Sequence, residues 1–187
     1  MRRFLVAERF AVIDTETNWV NEVMSVGIVI AEDGLFEVID KKYVIIGEAA
    51  RKGGMYYGSL RIMGQKPAVM KHGHAINEIL SFLDANHVKR IYAYNAPFDL
   101  RCLPELGDYL WHDILRMAAY KQHNHAIPSD AVCCGTGRLK SGYKVGDILH
   151  LFGEHDYYEL HNALTDAVDE LRIMKYLRHS IRKYPVL

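Results

Sequence analysis

The sequence predicts an α/β protein built on a mixed sheet, and three observations carry that expectation. Two apolar runs, residues 10–13 (FAVI) and 24–31 (MSVGIVIA), come first, and the second leads into Asp33-Gly34, a dipeptide typical of hairpin turns. The chain then alternates short apolar stretches with segments of helical period. Finally, Leu160, Leu164, Ala167, Val168, Leu171, Met174, Leu177 and Ile181 recur at three- and four-residue steps. Antiparallel strands followed by alternating strands and helices imply a mixed sheet flanked by helices.

Taken in order, residues 10–13 and 24–31 read as buried strands. Residues 35–46 (LFEVIDKKYVII) read as the return strand, interrupted by Lys41-Lys42. Residues 51–64 carry four glycines and no sustained period, which predicts a loop or lid. A helix is expected over 67–85, weakened by Gly73 in its middle. Residues 90–94 form a short strand, and Pro97 suits the first turn of a helix running to 106. Residues 109–112 are another short strand, with Asp113 placed to cap a helix to Tyr120. The stretch 123–142 is polar, small and irregular, and is expected to be a loop.

The length suits one domain spanning 1–187, long enough to hide roughly 70% of its unfolded surface. With 23 Lys and Arg against 23 Asp and Glu, the formal net charge is zero. That excludes a protein that coats nucleic acid through bulk positive charge, so any such contact must be local. The apolar run at 4–7 is too short for a secretory signal, and no stretch reaches the length of a membrane span. Cys102, Cys133 and Cys134 are odd in number. A reduced cytoplasmic protein with free thiols and no membrane partner is expected.

Chemistry concentrates in three segments. Asp14-Thr15-Glu16-Thr17 directly follows the first strand, where alternation puts Asp14 and Glu16 on one face with Cα atoms roughly 6.6 Å apart. Two carboxylates so spaced can bracket a cation, although a solvated strand end has the same pattern. Asn95-Ala96-Pro97-Phe98-Asp99 ends another strand, where sites in α/β sheets gather; alone, Asp99 would simply complement a helix dipole. His161-Asn162-Ala163-Leu164-Thr165-Asp166 opens the last helix. In a continuous helix His161 and Asp166 would splay by about 140°, so a shared cleft requires Asn162 as the cap and His161 in the loop.

Together these segments resemble the DEDDh family of 3′-to-5′ exonucleases, whose motifs are D-x-E, N-x-x-F-D and H-x-A-x-x-D-A. All five signature residues are present, as Asp14, Glu16, Asp99, His161 and Asp166, and the resemblance runs from about residue 10 to 177. It implies a ribonuclease H-like fold and two divalent cations, Mg²⁺ or Mn²⁺, held by Asp14, Glu16, Asp99 and Asp166. Elementary electrostatics agrees, since carboxylates about 5 Å apart repel by roughly 3 kcal/mol per pair at an effective dielectric near 20. All-oxygen ligation suits hard cations.

The resemblance further implies a two-metal hydrolysis that releases nucleoside 5′-monophosphates from the 3′ end of single-stranded DNA, RNA or short oligonucleotides. In it His161 is the general base, a role that imidazole commonly fills. Thr15, Thr17, Asn95 and Phe98 are implied to lie near the terminal nucleotide. Several stand-alone relatives form homodimers, so a homodimer is a further expectation. The competing reading is a catalytically silent nucleic-acid-binding or interaction module on the same fold, against which the five intact residues speak.

Several features fall outside the motifs. Trp19, so close to a strand, is expected in the core, with stacking on a base as the alternative. Residues 51–64, with Tyr56, Tyr57 and two Arg, form either a strand-holding element or a surface loop. A zinc site can be drawn from His112, His123, His125, Cys133 and Cys134, but the usual ligand spacings are absent.

Overall fold

In the computed structural model, which describes residues 7–187, the first apolar run extends through the acidic motif as a single strand, β1 (Arg9–Thr17). Residues 4–6 of the N-terminal apolar run lie outside the described residues. Phe10 to Ile13 are fully buried, and the chain turns at 18–22 into β2 (Val23–Glu32), buried over nearly its whole length. The expected turn at Asp33-Gly34 is present, with Gly34 at φ 91°. The return strand is shorter than the sequence suggested: β3 is Asp40–Ile46. Residues 35–39 leave the ladder because Phe36 takes a left-handed backbone and turns into the core. Lys41 and Lys42 do not interrupt β3, and Lys42 reaches out to Glu78 at 2.7 Å.

A short helix α1 (Gly47–Ala50) follows, and then the irregular stretch expected at 51–64, tightened by a 3₁₀ turn at Tyr57–Ser59. The helix expected over 67–85 divides. Its first residues form β4 (Ala68–Met70), parallel to β3, and the helix α2 is His72–Ala85. The open edge of β3 supplies backbone partners that outweigh helical propensity, and Gly73 falls in the first turn, not the middle. Strand β5 (Arg90–Ala93) leads to α3 (Pro97–Cys102), which ends four residues earlier than expected, in a separate 3₁₀ turn at Pro104–Leu106. Strand β6 (Leu110–Asp113) precedes α4 (Leu115–Ala118), whose Leu115 N–H donates to the Asp113 carboxylate at 3.0 Å. Helix α5 (Val145–Leu151) was not expected, since its two turns offer too few apolar repeats to register. The long final helix is α6 (Ala163–Leu177).

The six strands lie in the order β4-β3-β2-β1-β5-β6. The β1–β2 and β2–β3 pairs are antiparallel and the other pairs parallel, so the expected antiparallel start and mixed sheet are both present. The strand order reverses between β1 and β5, and the carboxyl ends of these parallel neighbours open onto the same edge, where crevices form. Helix α6 packs across β1 and β2. Its start comes so close to Gly27 of β2 that a Cβ there would lie 2.1 Å from the Ala163 carbonyl oxygen. Among the described residues no helix is long and apolar enough to cross a membrane, and the three cysteines form no disulfide.

Candidate active site

The site is assembled from three chain segments at the carboxyl ends of β1 and β5. Asp14 and Glu16 project from β1, Glu16 buried and Asp14 partly so. Between them, the Thr15 hydroxyl donates to Asp99 Oδ1 at 2.8 Å, fixing the one motif carboxylate that comes from α3. Asp166 lies in the first turn of α6 and is 5% exposed.

Asn162 caps α6 as the sequence suggested. Its side-chain oxygen accepts from the Thr165 N–H at 3.2 Å, and its amide donates to the Tyr43 hydroxyl and the Ser59 carbonyl at 3.0 and 2.7 Å. His161 therefore stands in the loop, with its backbone in the left-handed region at φ 52°. The Ser59 hydroxyl donates to its carbonyl, and Tyr56 stacks on its ring at a centroid distance of 4.0 Å. The 51–64 loop thus holds the histidine from outside.

Ligand atoms of Glu16, His161 and Asp166 lie within 4.8 Å of one another. Among the described residues this is the only such group of three, so the histidines and cysteines of the 112–134 region do not converge into a zinc site. His112 is instead buried against Tyr92 and bonded to the Tyr184 carbonyl.

The carboxyl groups hold their protons far above the usual range. Burial and the Asp99 and Glu159 charges raise Asp14, and burial with neighbouring charges, Asp14 foremost, lifts Glu16 and Asp166 each to about 9. Asp99 rises only to about 7, because hydrogen bonds, chiefly from Thr15, offset part of its burial. Asp166 Oδ1 is buried with no hydrogen-bond partner. An orphaned carboxylate oxygen beside clustered like charges fits divalent cations, which would satisfy the oxygen and offset the charge.

Two cavities meet at this centre, and Asp14, Tyr56, Glu159, His161 and Asp166 wall both. The first, about 420 Å³, also takes in Thr15, Thr17, Trp19, Met55 and Phe98. The second, about 570 Å³, takes in Tyr94, Asn95, Arg138, Tyr143, Lys144 and Glu170. Asn95 and Phe98, expected together, therefore border different cavities. Trp19 is not in the core but 68% exposed at the rim of the first. The cause is Asn18, whose side-chain oxygen accepts from the Val20 and Glu22 N–H groups, both at 3.0 Å, so the turn throws Trp19 outward.

Two further acids that no sequence motif marks border the centre. Glu170 lies four residues after Asp166, on the same face of α6; it is 2% exposed and accepts from the Tyr94 N–H at 3.0 Å. Burial and the Asp14 and Asp99 charges raise its carboxyl well above the usual range. The helical spacing could have flagged it. Glu159 sits in an irregular lead-in where no periodic signal exists.

No family model matches the chain, and no curated protein matches its sequence. Solved structures do. The chain is similar over 98% of both lengths, with a TM-score of 0.69 and 12% identity, to the nuclease domain of 3′hExo, a DEDDh family member, bound to rAMP. A 3′-exonuclease solved in recognition of the histone mRNA stem-loop matches 97% of this chain and 71% of its own, with a TM-score of 0.66 and 13% identity. E. coli exonuclease I in complex with a dA16 oligonucleotide matches with a TM-score of 0.62 and 16% identity over 94% of this chain, which spans 42% of that protein. The mixed six-stranded sheet with flanking helices is thus the ribonuclease H-like fold of these nuclease domains.

Proposed function

We propose that residues 1–187 form a single nuclease domain of DEDDh type, a metal-dependent 3′-to-5′ exonuclease that releases nucleoside 5′-monophosphates from single-stranded DNA, RNA or short oligonucleotides. The observation that carries this reading is the meeting of Asp14, Glu16, Asp99, His161 and Asp166, from three distant segments, at the point where the strand order reverses. The likeness of the fold to nuclease domains bound to rAMP and dA16 supports it.

In this reading Asp14, Glu16, Asp99 and Asp166 hold two divalent cations, Mg²⁺ or Mn²⁺. Bound there, the cations supply charge neutralisation at the phosphate and a more acidic attacking water. A ring nitrogen of His161 takes the proton from that water as its oxygen joins phosphorus. The bond to the upstream 3′ oxygen breaks, and that oxygen leaves as the new strand end. Tyr56, stacked on the imidazole, and Ser59, bonded to the His161 carbonyl, keep the ring aimed. Thr15 orients Asp99. The first cavity receives the terminal nucleoside, with Thr17, Phe98 and Trp19 around it.

The test uses DNA and RNA oligonucleotides labelled at either end, with Mg²⁺ or Mn²⁺. Stepwise shortening from the 3′ end is expected, abolished by EDTA and by Asp14→Ala. Wild-type protein that binds these strands but leaves them intact would overturn the enzyme and leave a binding module.

A further inference from the structure

The 133–144 region, which no motif claims, places two cations beside the acidic centre. Arg138 and Lys144 border the second cavity, whereas no lysine or arginine lines the first. Among the described residues neither side-chain cation has an acidic partner within 4.0 Å, in contrast to Lys52, Arg90, Arg116 and Arg172; the Asp147 carboxylate accepts only from the Lys144 backbone N–H, at 3.1 Å. With divalent cations offsetting the acidic wall, two cations that carry no acidic side-chain partner leave the second cavity suited to an anion, and the anion that such a centre admits is a phosphodiester.

The arm that carries them is held in place. Cys133 bridges to Leu139 through the backbone, and the Cys134 N–H donates to the Arg138 carbonyl at 2.8 Å. The Arg138 guanidinium lies 5.2 Å from the centre of the Tyr143 ring, and the Tyr143 carbonyl accepts from the Tyr94 hydroxyl just beyond β5. Arg138 is therefore oriented in advance, which lowers the entropy lost on gripping a ligand. Another large cavity, beyond Phe98, also has an arginine with no acidic partner among the described residues, Arg101, set over the Phe98 ring at 5.6 Å, but it is a poorer seat for a strand because its Lys52 is already paired with Glu22 and Glu48 adds negative charge.

We propose that the second cavity seats the strand upstream of the cleaved bond, with Arg138 and Lys144 gripping its phosphates. This rests on the exonuclease reading and deepens it. A strand end laid across the shared wall puts its terminal nucleoside in the first cavity and its remaining phosphates against the two cations.

Two substrates separate the claims. The p-nitrophenyl ester of thymidine 5′-monophosphate has no upstream nucleotide; water attacks its phosphorus, the aryl P–O bond breaks, and p-nitrophenol and thymidine 5′-monophosphate result. A thymidine pentanucleotide has upstream phosphates. In Arg138→Ala and in Lys144→Ala, the ratio of kcat/KM for the pentanucleotide to that for the ester is expected to fall about tenfold or more, as for loss of a charge-assisted hydrogen bond. Fluorescence anisotropy of a labelled pentanucleotide in Ca²⁺ should show weaker binding, with a salt slope smaller by about 0.7 for each phosphate left without its cation. Variants that keep the wild-type ratio and slope overturn the grip alone. A wild-type protein that turns over neither substrate overturns the exonuclease reading, whatever the anisotropy shows.

Discussion

Glu16 and Asp166 keep their protons to about pH 9 in the metal-free protein, where an unfolded chain would release them near the ordinary carboxylate values of 4.5 and 3.8. A group whose folded pKa is raised contributes stability that is present below its unfolded pKa and lost as pH climbs through its folded one. Asp99, raised to about 7, acts in the same direction. In EDTA the melting temperature should therefore fall between about pH 5 and pH 9, and excess Mg²⁺ should flatten that slope. A flat profile in EDTA would mean that the carboxylates do not repel as their geometry requires. Removing the ionisable group, in Asp166→Asn, should raise the metal-free melting temperature by roughly 2 to 4 °C at about pH 9, where Asp166 begins to ionise, while abolishing cleavage. Trp19→Ala should raise KM for the nitrophenyl ester about tenfold, the scale of a single base stack. At this scale the sequence was legible where chemistry forces a residue type, as in the five motif residues. It was misleading for Trp19, whose exposure depends on a turn set by the Asn18 side chain.

A hydrogen atom on Gly27 decides where α6 begins. With the Ala163 carbonyl 2.1 Å from where a Cβ would stand, Gly27→Ala must push the helix start away from β2 and carry His161 and Asp166 with it. The expected cost is about 3 kcal/mol, or roughly 6 to 12 °C in melting temperature, with loss of cleavage. The control is Gly73→Ala in α2, where a Cβ meets nothing within 4 Å and a stabilisation of up to about 1 kcal/mol is expected. Differential scanning calorimetry of both variants checks the contrast. Elements with a long period or an apolar run of their own, such as α6, β1 and β2, were readable in advance. Strand β4 and the shortened β3 were not, because their extent depends on edge pairing and on where Phe36 finds a cavity. The same limit hid the importance of Gly27, which shows only once the helix lies across it.

Across the whole molecule, the alternation of strands and helices was enough to predict a mixed sheet, while the two cavities depend on loops that carry no period. The centre draws on residues 14, 99 and 166, whose separations of 85 and 67 positions span most of the chain. Contacts so remote close late, since loop-closure entropy must be met before they form. The repulsion among the acids is then absent from early folding and is met only as the native state completes. That has a kinetic consequence. A divalent cation that recognises only the assembled centre should slow the unfolding limb of a chevron while leaving the refolding limb almost unchanged. Stopped-flow unfolding in urea, with and without Mg²⁺, reads it directly. A cation bound there would then act as a latch on a door already shut, governing how long the protein stays folded more than how fast it gets there.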